Sequence, residues 1–103
     1  MDIDTAIPLG LIANELISNC LKHAFIGRPK ALVVIKLQRS SAGECRLAVK
    51  DDGNGLSNDF SLEQTKSLGM RLVKILAEQI RGRVKYETGQ GTEFVITFAN
   101  RAK

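Results

Sequence analysis

Residues 5–25 read TAIPLGLIANELISNCLKHAF, and their spacing predicts the longest helix of the protein. Apolar residues recur every three or four positions along this stretch, which is the period of one helix face. That face comprises Leu9, Ala13, Leu16, Ile17, Cys20, Leu21 and Ala24. Asp4 and Thr5 open the helix, Pro8 lies early, where a first turn tolerates proline, and Gly27-Arg28-Pro29 ends it.

The other side of this helix carries a polar stripe of Glu15, Asn19, Lys22 and His23. Positions i, i+4, i+7 and i+8 lie within about a third of the helix circumference. A solvated face is the ordinary explanation, but such faces are usually laced with Glu–Lys pairs, and this one has one Glu, one Asn and a lone His. An amide oxygen suits Mg²⁺, a carboxylate one turn away can orient a nucleophile or accept a proton, and a lysine can meet a phosphate.

The remaining elements are predicted as two strands, a helix and two further strands, over Leu32–Leu37, Cys45–Val49, Leu68–Ile80, Arg83–Tyr86 and Glu93–Phe98. Each strand pair is read as a hairpin, the first closed by polar residues 40–43 and the second turning at Gly89-Gln90-Gly91. Gly82 is expected to close the second helix, and residues 57–67 to form a loop. The pattern predicts one α+β domain over residues 1–103, a two-layer sandwich with both helices on one face of a mixed, largely antiparallel sheet.

Composition excludes several classes of protein. Apolar residues make up 44% and charged residues 25% of the 103 residues, as in soluble globular domains, so disorder is not expected. The strongly apolar stretches, such as Ala31–Ile35, are far shorter than the roughly 20 residues that span a bilayer, and Met1–Asp4 leads into no secretory signal. We therefore expect a cytoplasmic location, with no direct membrane contact, and Cys20 and Cys45 as reduced core thiols.

The net charge of +4 suits an anionic partner without identifying it. A basic nucleic-acid-binding module without catalysis is one candidate. Aromatic residues are only 5% of the chain, and no Arg/Lys cluster alternates with them, as a base-stacking platform requires. Nucleic acid is therefore not expected as the partner.

Three glycine-bearing motifs follow the first helix. Asp51-Asp52-Gly53-Asn54-Gly55 places a carboxylate at the end of a strand, before glycines that let the backbone approach a ligand closely. Ser67-Leu68-Gly69-Met70 opens the second helix, where free N–H groups favour anions. Gly89-Gln90-Gly91-Thr92 lies between the last two strands. Taken singly, the first is explained by an ordinary turn, the second is weak and the third is explained by a hairpin.

In this order, the polar stripe and the three motifs resemble the GHKL ATPase superfamily. Asn14–Phe25, which reads NELISNCLKHAF, looks like the N box of sensor histidine kinases, and its nearest form is the HWE-type variant. The segments Ser67–Val73 and Ala77–Gly82 fit the G2 region of that variant. The resemblance covers nearly the whole chain and implies a Bergerat fold that binds ATP and Mg²⁺ between a helix and a lid.

The resemblance implies the following roles at the adenine end of the nucleotide. Asp51 would accept a hydrogen bond from the adenine amine, and Gly53 and Gly55 would shape the pocket. Thr92 would add a contact through water, and Gly89 and Gly91 belong to the same motif.

At the phosphate end, the resemblance implies that Asn19 ligates Mg²⁺ and that Glu15 orients or activates the reacting groups. Lys22 and His23 would contact phosphate directly or through water. Gly69 and its neighbours would close the triphosphate end; these neighbours are Leu68 and Met70. Residues 58–66 would form the ATP lid.

The chain departs from the family pattern at three points. One of the two glycines of a fuller Gly-Leu-Gly-Leu G2 box is absent, because Ser67 precedes Leu68-Gly69, and Met70 takes the last Leu position. Cys20 replaces the usual Ala of the N box and is expected to be a small core residue. Nothing in the chain supplies the helical dimerisation domain that bears a phosphoacceptor histidine, and His23 lies inside the ATP site by the same correspondence.

The resemblance therefore implies the catalytic, ATP-binding domain of a protein-histidine kinase, which supplies the γ-phosphoryl group for a histidine on a separate helical dimerisation domain. Such a domain is incomplete for autophosphorylation on its own, and a response regulator would act downstream. The larger protein would be a sensor with this part in the cytosol. Two alternatives stay open within the superfamily: a stand-alone serine kinase of the anti-sigma type, and a degenerate ATP-binding module that only mediates contacts.

Overall fold

The computed structural model describes residues 3–21, 32–40, 43–53, 68–89 and 91–99. These residues form two helices and four strands, namely α1 (Ile3–Asn19), β1 (Val33–Arg39), β2 (Glu44–Asp51), α2 (Leu68–Gln79), β3 (Arg83–Gly89) and β4 (Gly91–Ala99). The strands make one sheet in the order β1-β2-β4-β3, and every neighbouring pair is antiparallel. The α+β class and both hairpins are confirmed, and within the described strands the predicted mixed character of the sheet is not found.

The core lies between the sheet and the two helices. Helix α1 packs on α2 and β2, while α2 also contacts β3. Alternate residues of β2 and β4 face the helices because successive side chains of a strand point to opposite faces. The largest fully buried side chains are Phe98, Ile12, Leu16, Ile96, Val49 and Val73. Neither described helix has the length and apolar character that crossing a bilayer requires.

Helix α1 begins at Ile3 and ends at Asn19, after which residues 20 and 21 form a wider, π-type turn. Pro8 therefore lies inside the helix and not in its first turn, and its missing N–H removes the bond to the carbonyl of Asp4. Asp4, in the first turn, places a negative charge near the positive end of the helix dipole, which stabilises the helix. The end predicted at Phe25 and Gly27-Arg28-Pro29 lies outside the described residues.

Strand β1 is an edge strand, hydrogen-bonded to β2 on one side. Its aliphatic side chains remain accessible, with Val34, Ile35 and Leu37 exposed by 37%, 49% and 55%. Just before the strand, the Leu32 N–H donates to Asp52 Oδ1 at 3.1 Å, and the Asp52 N–H donates to the Leu32 carbonyl at 3.3 Å. These two bonds hold the residues after β2 against the start of β1.

Helix α2 ends at Gln79 in a Schellman motif, and its left-handed residue is Arg81 and not the predicted Gly82. Arg81 has a φ of 55°, and its N–H donates to the Glu78 carbonyl at 3.0 Å. The Gly82 N–H donates to the Ala77 carbonyl at 2.8 Å. A side chain at position 82 would place its Cβ 3.1 Å from the Thr97 carbonyl oxygen, a tighter contact than most Cβ atoms make, so Gly82 favours the close approach of the chain to β4.

Replacing Arg81 by Gly is expected to stabilise the domain by about 0.5–1 kcal/mol, because glycine adopts the left-handed conformation without the steric cost that arginine bears. Urea denaturation of parent and variant measures the difference. Gly82→Ala is the matched control and should lower stability through its contact with Thr97. An Arg81→Gly variant less stable than the parent would show that the arginine side chain outweighs the backbone strain.

Candidate nucleotide-binding site

Asp51, the last residue of β2, lies at the centre of the candidate site. Its side chain is buried, with 4% of the residue exposed. Oδ1 accepts a hydrogen bond from the Gly53 N–H at 2.9 Å, and Oδ2 accepts one from the Cys20 thiol, with Sγ at 3.2 Å. The sequence prediction ended the strand at Val49, but β2 continues through Asp51, which pairs with Val33 on one side and with Thr92 on the other. The carboxylate is thus held by sheet pairing and by a donor on each oxygen.

The Gly89-Gln90-Gly91-Thr92 motif is brought against Asp51 by the β2–β4 pairing. Gly91 has a φ of 128°, a conformation that favours glycine, and a Cβ added there would lie 2.3 Å from the Asp51 carbonyl oxygen. Thr92 is buried, and its hydroxyl oxygen lies 3.3 Å from that of Thr88. The Thr88 hydroxyl also donates to the Gly91 carbonyl at 3.4 Å. Gly89 pairs with Gly91 at the end of the hairpin.

Cys20 joins α1 to this cluster and was missed as a site residue by the sequence reasoning. It is buried, as predicted, but its thiol also reaches the Asp51 carboxylate across 31 positions of sequence. Burial, followed by the hydrogen bond to Asp51 and the charge of that carboxylate, raises the pKa of the Cys20 thiol from its ordinary 9.0 to about 12. The thiol is therefore a protonated donor near neutral pH. No spacing or composition signal in the sequence indicates this contact.

The polar stripe on α1 is described only in part. Glu15 and Asn19 lie one helical turn apart in the last two turns of α1, and both are half-buried. Asn19 directly precedes Cys20, so the stripe reaches the end of the helix that contacts Asp51. Lys22 and His23 lie outside the described residues. The described part of the stripe thus offers one amide oxygen and one carboxylate on the helix whose end contacts Asp51.

The start of α2 is the third element expected at the site. Leu68 is 81% exposed, Gly69 is half-buried, and Met70 is 2% exposed and belongs to the hydrophobic core. Of the three residues assigned to the triphosphate end, Met70 thus packs inward. Gly55 and the lid at 58–66 lie outside the described residues.

The outer face of the sheet carries a shallow depression of about 390 Å³, lined by charged side chains of β2, β3 and β4. Arg83 and Glu44 both line the depression, with Arg83 Nη2 3.8 Å from Glu44 Oε2, and both side chains are well exposed. None of the predicted site residues lines it. This depression is a solvated, ion-paired sheet face, and such exposed pairs contribute little to stability.

The chain belongs to the family described as histidine kinase-, DNA gyrase B- and HSP90-like ATPases, whose model matches residues 4–102. It therefore carries an ATPase domain of the type found in sensor histidine kinases, as the sequence resemblance indicated. The sensor histidine kinase PdtaS of Mycolicibacterium smegmatis is 39% identical over 77 residues, which cover 74% of this chain and 15% of that protein.

Solved structures agree with this family. The histidine kinase domain of the Erythrobacter litoralis EL346 blue-light-activated histidine kinase superposes with a TM-score of 0.90 at 29% identity, covering 96% of this chain and 46% of that one. Full-length ShkA, solved in complex with AMPPNP, gives a TM-score of 0.70 at 27% identity, covering 93% of this chain and 22% of that one. The chain spans between 12% and 27% of the length of several curated relatives that it matches.

Proposed function

We propose that this domain binds ATP with Mg²⁺ and supplies the γ-phosphoryl group for phosphorylation of a histidine on a separate helical dimerisation domain. One observation carries the proposal: the buried Asp51 carboxylate is held between β4 and the end of the helix that bears Glu15 and Asn19. The family match and the AMPPNP complex of the similar kinase ShkA support nucleotide as the ligand.

Asp51 is assigned to the adenine amine. A carboxylate accepts hydrogen bonds at about four lone-pair positions, and Gly53 and Cys20 use two of them. The exocyclic amine of adenine is a donor that can use a remaining position. Thr92 is assigned to a water-mediated contact with the base, and Gly91 keeps the backbone of β4 close to Asp51.

Asn19 and Glu15 are assigned to the phosphate end. The described residues contain no group of three or more His, Cys, Asp or Glu side chains able to hold a metal, so a metal here would need phosphate oxygens and water among its ligands. An amide oxygen with a neighbouring carboxylate fits Mg²⁺, which prefers oxygen and retains several waters. When bound, Mg²⁺ neutralises charge on the phosphate oxygens.

Glu15 is assigned to orienting the acceptor and to receiving its proton. In the reaction, an imidazole nitrogen of the acceptor forms a bond to the γ-phosphorus while the bond from that phosphorus to the departing ADP oxygen breaks. The proton lost by the imidazole passes to a base, which Glu15 can be. Lys22 and His23, and the backbone around Leu68, Gly69 and Met70, are assigned to binding and orienting the triphosphate.

The relatives are several times longer than this chain, and we propose that the rest of the kinase provides the acceptor helices. A response regulator would then receive the phosphoryl group, and the domain would work on the cytosolic side of a larger sensor. His23 belongs to the nucleotide site in this proposal and is not the acceptor.

Calorimetric titration of the 103-residue chain with AMPPNP, with and without Mg²⁺, tests the proposal. We expect a dissociation constant between micromolar and sub-millimolar, tightened by Mg²⁺. Absence of binding at millimolar nucleotide would refute ATP binding and favour a module that only mediates contacts. Adding dimerisation helices and ATP should then yield acid-labile phosphohistidine, whereas acid-stable phosphoserine would indicate the anti-sigma type of kinase.

Replacing Asn19 by Asp is expected to change the Mg²⁺ dependence of nucleotide binding by about tenfold, because a neutral amide ligand becomes a second negative charge beside Glu15 and the phosphates. Affinity for nucleotide without metal should change by no more than about threefold, since the adenine contacts stay intact. Parallel titrations with and without Mg²⁺ separate the two effects. Asn14→Asp, the same charge change at an exposed position of α1, is the matched control. Equal effects from both variants would remove Asn19 from the metal site.

A further inference from the structure

The Cys20 thiol and the Asp51 carboxylate come from different layers of the fold. Cys20 follows the last residue of α1, and Asp51 ends β2, yet Sγ and Oδ2 lie 3.2 Å apart. Both residues are buried to the same degree, with 4% exposed. This distance lies within hydrogen-bonding range for sulfur, so the thiol donates a hydrogen bond to the carboxylate and does not merely pack against it.

The bond acts on the orientation of the carboxylate. The Gly53 N–H, two residues further along, holds Oδ1 at 2.9 Å. One such bond leaves the carboxyl group able to turn about its Cβ–Cγ bond, since this terminal torsion is broad. The thiol on Oδ2 adds a second fixed point from another element, so the remaining lone pairs keep a defined direction.

Cys45 shows that burial alone does not explain this thiol. It is a free cysteine and, like Cys20, is 4% exposed. It is the second residue of β2, at the end of the strand opposite Asp51, and pairs with Arg39 and Phe98. Six positions separate it from Asp51. The chain thus contains two equally buried thiols, of which one reaches the site carboxylate.

We propose that Cys20 is a positioning residue that orients the Asp51 carboxylate toward a 6-amino group, and thereby helps the site to select adenine over 6-oxo purines. This inference rests on the proposed nucleotide-binding function. The N box that this segment resembles usually has Ala at this place, and alanine has no side-chain donor, so the bond is expected to refine the site and not to be a condition for binding. We therefore expect the Cys20–Asp51 bond to affect the preference for adenine over 6-oxo purines more than the affinity for nucleotides in general.

The experiment is calorimetric titration of the 103-residue chain with ADP and with IDP, whose base carries oxygen in place of the amine. For Cys20→Ala we expect the ADP affinity to fall about three- to tenfold, as for loss of one hydrogen bond to a charged group by a weak donor, with IDP affinity little changed. Cys20→Ser keeps a donor and should retain most of the preference for ADP. Cys45→Ala removes an equally buried thiol and should leave the ratio of the two affinities as in the parent.

Each outcome is decisive. If the parent binds ADP and the Cys20→Ala variant has the same ratio of ADP to IDP affinity as the parent, the positioning role is overturned. The proposed function then stays intact. A parent that binds neither nucleotide overturns both. If Cys20→Ala does not fold, Cys20→Val, which also lacks a donor, replaces it, and thermal melting of every variant checks that folded proteins are compared.

Discussion

Replacing Asp51 by Asn is expected to weaken ADP and AMPPNP binding by about 10- to 150-fold, the equivalent of losing a hydrogen bond to a charged group. Both oxygens of the parental carboxylate accept a bond from the protein, from Gly53 on Oδ1 and from Cys20 on Oδ2. An asparagine has one accepting oxygen and one donating amino group, so one of these donors would face another donor. The amide also offers fewer lone pairs to the adenine amine.

Calorimetry with ADP measures this loss, and Asp52→Asn is the matched control. Asp52 is the adjacent acid, exposed, with its Oδ1 accepting from the Leu32 N–H, a role that an asparagine oxygen can take over. We expect Asp52→Asn to bind ADP within about twofold of the parent. If Asp51→Asn binds ADP as tightly as this control does, the adenine amine is not bound by Asp51.

The periodic elements of the fold could be predicted because their sequence patterns act locally. The aliphatic spacing of α1 and α2 places one face of each helix on the sheet, and the glycines at 89 and 91 mark the last hairpin. The boundary at Asp51 was wrong for a non-local reason. The run Asp51-Asp52-Gly53 favours a turn, but pairing of Asp51 with Val33 on one side and Thr92 on the other extends the strand through Asp51.

Two details of the structure, one in the site and one at the end of α2, depend on tertiary contacts that no local pattern encodes. Cys20 looks like any small residue on the apolar face of a helix, and its bond to Asp51 follows from how α1 lies on β2. Arg81 takes the left-handed position at the end of α2, whereas Gly82, the residue expected there, lies where the chain passes close to the Thr97 carbonyl. The motifs predicted which residues form the site, and those roles stay predictions, whereas the contacts that hold Asp51 in place depend on packing.

Replacing Gly91 by Ala is expected to destabilise the domain by about 3–5 kcal/mol and to abolish measurable ADP binding in the protein that still folds. Two costs add at this position. A φ of 128° is strained for any residue with a Cβ, and that Cβ would lie 2.3 Å from the Asp51 carbonyl oxygen, a backbone atom that cannot turn aside. Relief requires β4 and the end of β2 to separate, which displaces the carboxylate that is proposed to bind the adenine amine.

Gly43→Ala separates these two costs, because Gly43 also has a positive φ, of 82°, but has no atom within 4 Å of an added Cβ. Backbone strain alone should cost about 1–2 kcal/mol there and leave ADP affinity unchanged, since Gly43 lies at the other end of β2. Urea denaturation and calorimetry of both variants give the comparison. Equal losses of stability at the two positions, with ADP binding retained in Gly91→Ala, would mean that close contact between β4 and Asp51 is not needed to hold the site. A larger loss at Gly91, accompanied by loss of binding, would tie the glycine motif to the carboxylate by direct contact.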